Sequence, residues 1–281
     1  MTDRGTLFCG IELGARIERV ETDLVAKGAA AAHLRRGDGS GFLIPVAGGM
    51  ASYAEPGSPL NKVAGLGFDG VPSESELDEI ETQFAKRDTP VQVELSHLAD
   101  PAIGELLTGR GYRLLGYENV LGLALAGFSA TSLPADVVVS RSGESEFDTW
   151  LGLVADGFSH PDTQGLASHE EFPAEIIANA VRDLAGAAGV LHYLAHHDGV
   201  PAGGASLRLA EGVAQLTGAA TIPAHRRRGV QSALLTTRLA DAVAAGCDIA
   251  TLTTQPASKS QQNAQAKGFA LLYPRAMLVK S

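Results

Sequence analysis

The stretch that most constrains the chain is Thr217–Ala233, TGAATIPAHRRRGVQSA. An apolar, strand-like run ends at Ile222-Pro223. A short basic loop follows, His225-Arg226-Arg227-Arg228-Gly229, and a helical pattern starts at Val230 and continues to Ala245. A strand, a glycine-bearing basic turn and a helix in that order make an anion cradle. The first-turn N–H groups of a helix have no partners within the helix, and that end carries a partial positive charge. A phosphate placed there meets several donors at once. Gly229 lets backbone approach a ligand closely or take a positive φ. Neither GxxxxGK[ST] nor GxGxxG is present, so the spacing is not that of the common nucleotide loops.

The pattern Arg226-x-x-Gly229-x-Gln231, followed by Leu234-Leu235, resembles the pyrophosphate signature of the GCN5-related N-acetyltransferases (GNAT), [QR]-x-x-G-x-[GA]. It departs at Gln231, where the family usually has a small residue. The order of elements expected over residues 137–281 (β, α, α, β, β, β, α, β, α, β, β) also resembles that family, with the basic loop at the same junction. Gly268-Phe269 resembles the family's Gly-Phe pair after the last helix.

The first half is read as follows. A helix is expected over residues 8–35, strands over 42–47, 50–54 and 63–68, and a helix opened by the capping box Ser73 and Glu76. A strand at Val91–Leu95, a helix at Ala99–Gly109 and one or two strands over 112–125 complete it. Residues 126–136, AGFSATSLPAD, have linker composition. In the second half, a strand at 137–140 precedes helices at 144–158 and 170–184. Strands at 190–196, 201–209 and 213–222 lead to the cradle and its helix. A strand at 249–254, a helix at 258–267 and two strands, 269–272 and 276–280, end the chain.

The chain also repeats itself. Gly111-Tyr112-Arg113-Leu114-Leu115 aligns with Gly268-Phe269-Ala270-Leu271-Leu272 at an offset of 268 − 111 = 157, and Leu95 with Leu252 at the same offset. The expected fold class is therefore α/β, two tandem GNAT-like domains, each a mixed, mostly antiparallel sheet flanked by helices. The expected segments are 1–126, a divergent copy, 127–136, a linker, and 137–281, the acetyltransferase domain. In place of the arginines the first copy has Asp69, Glu74 and Glu76. Carboxylates there satisfy the helix dipole themselves and repel a pyrophosphate, so no cofactor is assigned to it.

The net charge of −10 argues against nucleic acid or an anionic membrane as partner and makes the triple arginine a local exception. No stretch is long and apolar enough to span a membrane, and the start lacks a secretory leader pattern. Two cysteines, Cys9 and Cys247, form no disulfide framework, which fits a reducing, cytoplasmic setting.

The resemblance implies acetyl-CoA as acyl donor and a small-molecule primary amine as acceptor, with direct attack on the thioester. It implies a pyrophosphate on the amides of Arg228, Gly229, Val230, Gln231, Ser232 and Ala233, with charge from Arg226 and Arg227. It implies pantetheine along Ala220, Thr221 and Ile222, and cofactor contacts from Ser258 and Asn263. His160 lies in the loop where the family contacts the acceptor. The family's usual acid, a tyrosine four residues before the Gly-Phe pair, is Ala264 here, and Gln215 and Thr217 stand where some relatives carry a glutamate. Catalytic acid and base are thus unassigned, which leaves open a non-catalytic acyl-CoA-binding or sensing protein. His192 and His196 fall on one strand but lack a third metal ligand at a matching spacing; no metal is expected.

Overall fold

The computed structural model describes residues 7–160, 172–187 and 189–281. The chain forms two compact units, one of residues 7–122 with 253–281 and the other of residues 123–160 with 173–252. These cut the chain differently from the segments 1–126 and 137–281. The reason is the last strand, which hydrogen-bonds to strands of the first unit.

In the first unit, helix α1 (Ile11–Arg36) precedes β1 (Phe42–Val46), β2 (Gly49–Tyr53), β3 (Lys62–Ala64), α2 (Glu74–Ala85), β4 (Val91–Ser96), α3 (Ala102–Gly109) and β5 (Arg113–Ala124). The chain returns to it with α7 (Lys259–Ala266) and β11 (Ala270–Lys280). The strand order is β1-β2-β3-β4-β11-β5, with only β3–β4 parallel. Leu66, Leu77, Ile80, Phe84, Ile103 and Leu107 fill its core beneath α2 and α3. The strand expected over 63–68 stops at Ala64, because Gly65 and Gly67 take φ of 70° and 95°. The two strands expected at 269–272 and 276–280 are one, β11, running through Pro274. It tolerates the proline because a register shift between Leu271 and Tyr273 absorbs the irregularity and the ladder to β4 begins only at Arg275.

The repeat is visible in the elements. β1-β2-β3-α2-β4-α3-β5 is the same order as the strands and helices from residue 190 to the end, and the bounds of α3 and α7 differ by 259 − 102 = 266 − 109 = 157. Arg275 pairs in register with Glu118, its own repeat equivalent (275 − 118 = 157), so the β5–β11 ladder has a local two-fold at that pair. Arg275, 1% exposed, also holds the buried Glu18 at 2.7 Å. Burial, with Glu94 close by, pushes the Glu118 carboxyl up to about 7 against the pull of Arg275.

In the second unit, β6 (Val137–Arg141) leads through a 3-10 turn to α4 (Phe147–Ser159). α5 (Ala174–Ala185), β7 (Val190–His197), β8 (Val200–Ala210), β9 (Val213–Thr221), α6 (Val230–Ala244) and β10 (Ile249–Thr254) follow. The order is β10-β9-β8-β7-β6, with only β9–β10 parallel. The helices expected at 144–158 and 170–184 are α4 and α5; Glu170 and most of the loop expected after Ser159 lie outside the described residues. Trp150 anchors this core, 1% exposed, with its indole N–H on the Ala205 carbonyl at 3.1 Å. Truncating it to alanine would cost about 3–5 kcal/mol. Residues 126–136 are irregular backbone, as their composition implies. No helix among the described residues is long and apolar enough to cross a membrane.

Candidate functional site

The start of α6 is left bare. Its N-cap is Gly229, at φ 82° and ψ −3°, with no side-chain cap and no acidic residue in the first turn. The first helical bond runs from the Ala233 N–H to the Gly229 carbonyl at 2.9 Å. The N–H groups of residues 229–232 have no acceptor within the helix. Gly229 is required twice over: its φ is left-handed, and a Cβ there would lie 2.7 Å from Pro134 Cγ. Val230 and Ala233 are buried, Gln231 and Ser232 half-buried.

The three arginines divide their work. Arg226 turns back onto its own scaffold: its Nε donates to the Thr221 carbonyl at 3.2 Å and its Nη2 to the His160 carbonyl. Arg227, at a strained φ of 62°, and Arg228 are exposed, with no acidic partner among the described residues. The charge expected of Arg226 is thus fixed in place, while Arg227 and Arg228 face solvent.

Upstream, β9 diverges from its parallel neighbour. The β9–β10 ladder pairs Val213 with Ile249, Ala214 with Ala250 and Gln215 with Thr251, and stops. β9 continues to Thr221 without it. On the other side β9 is bulged: Ser206 pairs with Thr217 and Gly204 with Ala220, leaving Gly218 and Ala219 as a step with one residue too many. Gly218 takes φ 50°. The small residues Gly218, Ala219 and Ala220 thus sit at a bulge and beyond the end of the β10 ladder. Ala220 is packed tightly; a Cβ on Gly157 of α4 would come within 2.3 Å of the Ala220 Cβ. Thr221 and Ile222 close the strand, with the Ile222 N–H on the Ala202 carbonyl at 3.1 Å.

The other expected residues have more local roles. His160 ends α4, exposed, its Nδ1 2.9 Å from the Asp156 carbonyl. Ser258 caps α7, accepting from the Gln261 N–H, and Asn263 is exposed on that helix; both belong to the first unit. Ala264 is buried and offers no proton. Tyr273 is buried in the first unit, its O–H on Glu18 at 2.8 Å. Gln215 is buried, accepting from Arg208 at 3.4 Å. His192, half-buried, packs on Trp150, ring centroids 4.5 Å apart, and partial burial lowers its pKa. No group of three His, Cys, Asp or Glu side chains among the described residues is placed to hold a metal.

Four features of the site escape a reading of the sequence. Pro134, in the irregular segment, packs over Gly229, and Gly157 admits Ala220. His225 of the basic loop meets His197, Nδ1 to Nδ1, at 3.2 Å. Arg238, in mid-helix, is buried beneath the bulge. None has a local signal, because each contact joins residues far apart in sequence.

Residues 158–269 match the model of the Acetyltransferase (GNAT) family. No curated protein matches the chain in sequence. Among solved structures, a GCN5-related N-acetyltransferase from Kribbella flavida matches over 90% of this chain and 95% of its own, at 19% identity and a TM-score of 0.62. A tandem GNAT protein from the clavulanic acid biosynthesis pathway matches over 97% and 96%, at 12% identity and a TM-score of 0.58. A GCN5-related N-acetyltransferase from Sphaerobacter thermophilus matches over 73% and 66%, at 15% identity and a TM-score of 0.55. At these identities the likeness is one of fold. The bare helix start, the bulged strand before it and the family match coincide in one stretch of chain: residues 158–269 match the GNAT acetyltransferase family model, in a chain with the fold of a tandem GNAT protein.

Proposed function

We propose that the chain is an N-acyltransferase that moves an acetyl group from acetyl-CoA to the primary amine of a small molecule. The observation that carries this reading is the uncapped, acid-free start of α6, directly downstream of a strand whose edge β10 leaves open. A diphosphate fits the first: the N–H groups of residues 229–232 converge there, Gly229 keeps side-chain bulk away, and Arg227 and Arg228 add charge. Ala220, Thr221 and Ile222 offer the strand edge to the pantetheine arm. Bound there, acetyl-CoA supplies an activated acyl thioester.

The chain's own part is binding, orientation and electrostatics. Backbone N–H groups at the bulge donate to the acyl oxygen as negative charge develops on it. The neutral acceptor nitrogen forms the C–N bond and releases a proton to solvent, the C–S bond breaks, and the departing sulfur takes a proton from solvent. That last step fits Ala264, which leaves no side-chain acid at the family's usual position. The same alanine favours a second reading, a non-catalytic acyl-CoA sensor with the cradle retained.

Calorimetric titration of acetyl-CoA into the wild type and into Gly229→Glu tests the proposal. The wild type is expected to bind in the micromolar range. The glutamate forces a Cβ against Pro134 at a left-handed φ and adds a carboxylate to the start of α6, and both effects lower affinity, together by about a hundredfold or more. Absence of binding to the wild type overturns the acyl-CoA reading. Binding without thiol release across a panel of amines selects the sensor.

A further inference from the structure

Arg238 is an odd residue to find where it lies. It is 2% exposed, and no carboxylate of the described residues pairs with it. Its guanidinium is held by carbonyls alone: Nη1 donates to Ser206 O at 2.8 Å and Thr217 O at 3.3 Å, and Nε to Leu234 O at 3.2 Å. Burial pulls its pKa down to about 10, which still leaves it charged at neutral pH. An unpaired buried cation is costly, and a well-packed apolar side chain is generally the cheaper way to fill such a space. Neutral donors would satisfy the same carbonyls.

The position of those carbonyls gives the charge a use. Ser206 and Thr217 are the last cross-strand pair before the bulge. The Thr217 carbonyl and the Gly218 N–H belong to one peptide unit. In a planar trans peptide they point in opposite directions. A cation on the carbonyl side therefore draws electron density away from the N–H on the other side, and hydrogen bonds in series strengthen one another. Gly218 has no partner on β8 and lies beyond the end of the β10 ladder. The first copy supports the link. At the corresponding position (238 − 156 = 82) α2 has Thr82, which carries no charge, and β3 is too short to carry a bulge.

We propose that Arg238 is a positioning residue for acyl transfer, whose buried charge polarises the Thr217–Gly218 peptide and makes the Gly218 N–H a stronger donor to the acyl oxygen of a thioester. This rests on the acyltransferase reading above. It predicts a charge requirement, separable from the role of Arg238 in packing.

The test uses the full chain labelled with 15N-glycine and 13C-carbonyl threonine, as wild type, Arg238→Lys and Arg238→Gln. Three quantities are read: the Gly218 amide proton shift, the dissociation constant for CoA, and kcat with the best amine found. CoA lacks the acyl oxygen, so its binding is expected to be unchanged in all three. In Arg238→Gln the Gly218 proton moves upfield and kcat falls by about tenfold, less than the loss of a whole oxyanion donor. Arg238→Lys keeps the charge and recovers most of both. Wild-type shift and kcat in Arg238→Gln overturn the proposal, as does a loss of CoA affinity parallel to the loss of kcat. If Arg238→Gln fails to fold, the wild type alone decides: a Thr217 carbonyl carbon and Gly218 proton without downfield displacement overturn it. Failure of the acyltransferase reading shows separately, as a wild type that binds no CoA, while the amide shifts still report on the charge.

Discussion

The two copies of the repeat start their equivalent helices in opposite ways. α2 closes on itself: Ser73 Oγ accepts from the Glu76 N–H at 3.3 Å, and the Glu76 carboxylate accepts from both the Ser73 N–H and O–H at 2.7 Å. α6 has Gly229 and Ser232 at those two positions, since 229 − 73 = 232 − 76 = 156, and neither supplies an acceptor to the first turn. The strands before the helices differ in the same sense. β3 ends where its ladder with β4 ends, and Lys62 is paired with Glu94 across it. At an offset of 157 those residues become Ala219 and Thr251, and β9 overhangs its ladder to Thr221. One framework can thus be sealed by its own charges or left open for those of a ligand. The sealed copy needs no partner to satisfy its helix dipole; the open copy carries four donors with no acceptor among the described residues, free for an anion or water.

The contrast can be broken by moving the seal. Ser232→Glu puts a carboxylate where α2 has Glu76. It is expected to raise stability by about 0.3–1 kcal/mol, as an acid in a first helical turn does. It is also expected to lower acetyl-CoA affinity by about tenfold or more, because the new anion competes with the diphosphate. Urea denaturation and calorimetry on the same preparation measure both. Equal affinity in the two proteins would show that the start of α6 is not where the anion sits.

The reverse change acts on the sealed copy. Ser73→Ala removes the cap and is expected to cost about 0.5–2 kcal/mol of stability. Acetyl-CoA affinity is expected to be unmoved, because the first copy is assigned no cofactor. A drop in affinity along with stability would mean that the first copy does contribute to the site.

Much of this contrast is local, and that is why it is legible before folding. Ser73-x-x-Glu76 and Arg226-x-x-Gly229 are signals of four residues each, the first read from helix-cap chemistry and the second from its resemblance to a family signature. The repeat is similarly direct, because Gly-aromatic-x-Leu-Leu recurs at a fixed offset. What the sequence hides is pairing at a distance. Pro274 interrupts the two strands expected at 269–272 and 276–280, yet β11 runs through it, because β5 pairs it with Asn119 and the β4 ladder begins only at Arg275. Arg238, in TTRLADA, looks like an exposed helical arginine; only the packing of α6 on β8 and β9 places it under a bulge.

The smallest expected effect concerns protonation of the seal itself. Hydrogen bonds from the Ser73 side chain and backbone hold the Glu76 carboxyl below its ordinary value of 4.5. A carboxyl whose pKa is depressed by folding stabilises the folded state fully above that ordinary value and loses the contribution as pH falls through the depressed one. The stability difference between wild type and Glu76→Gln is therefore expected to be flat from neutrality down to about pH 5 and to shrink below 4.5. Denaturant titrations across that window measure it. α6, without an acid in its first turn, has nothing equivalent to lose, so Ser232→Gln against wild type is expected to give a difference with no such slope. Ser232→Glu against Ser232→Gln should recover it. If the transplanted glutamate shows the acid-dependent slope that Glu76 shows, the two helix starts differ in their sealing group and not in the backbone that presents it; if it does not, the left-handed Gly229 cap points its donors where a side chain of the same helix cannot reach.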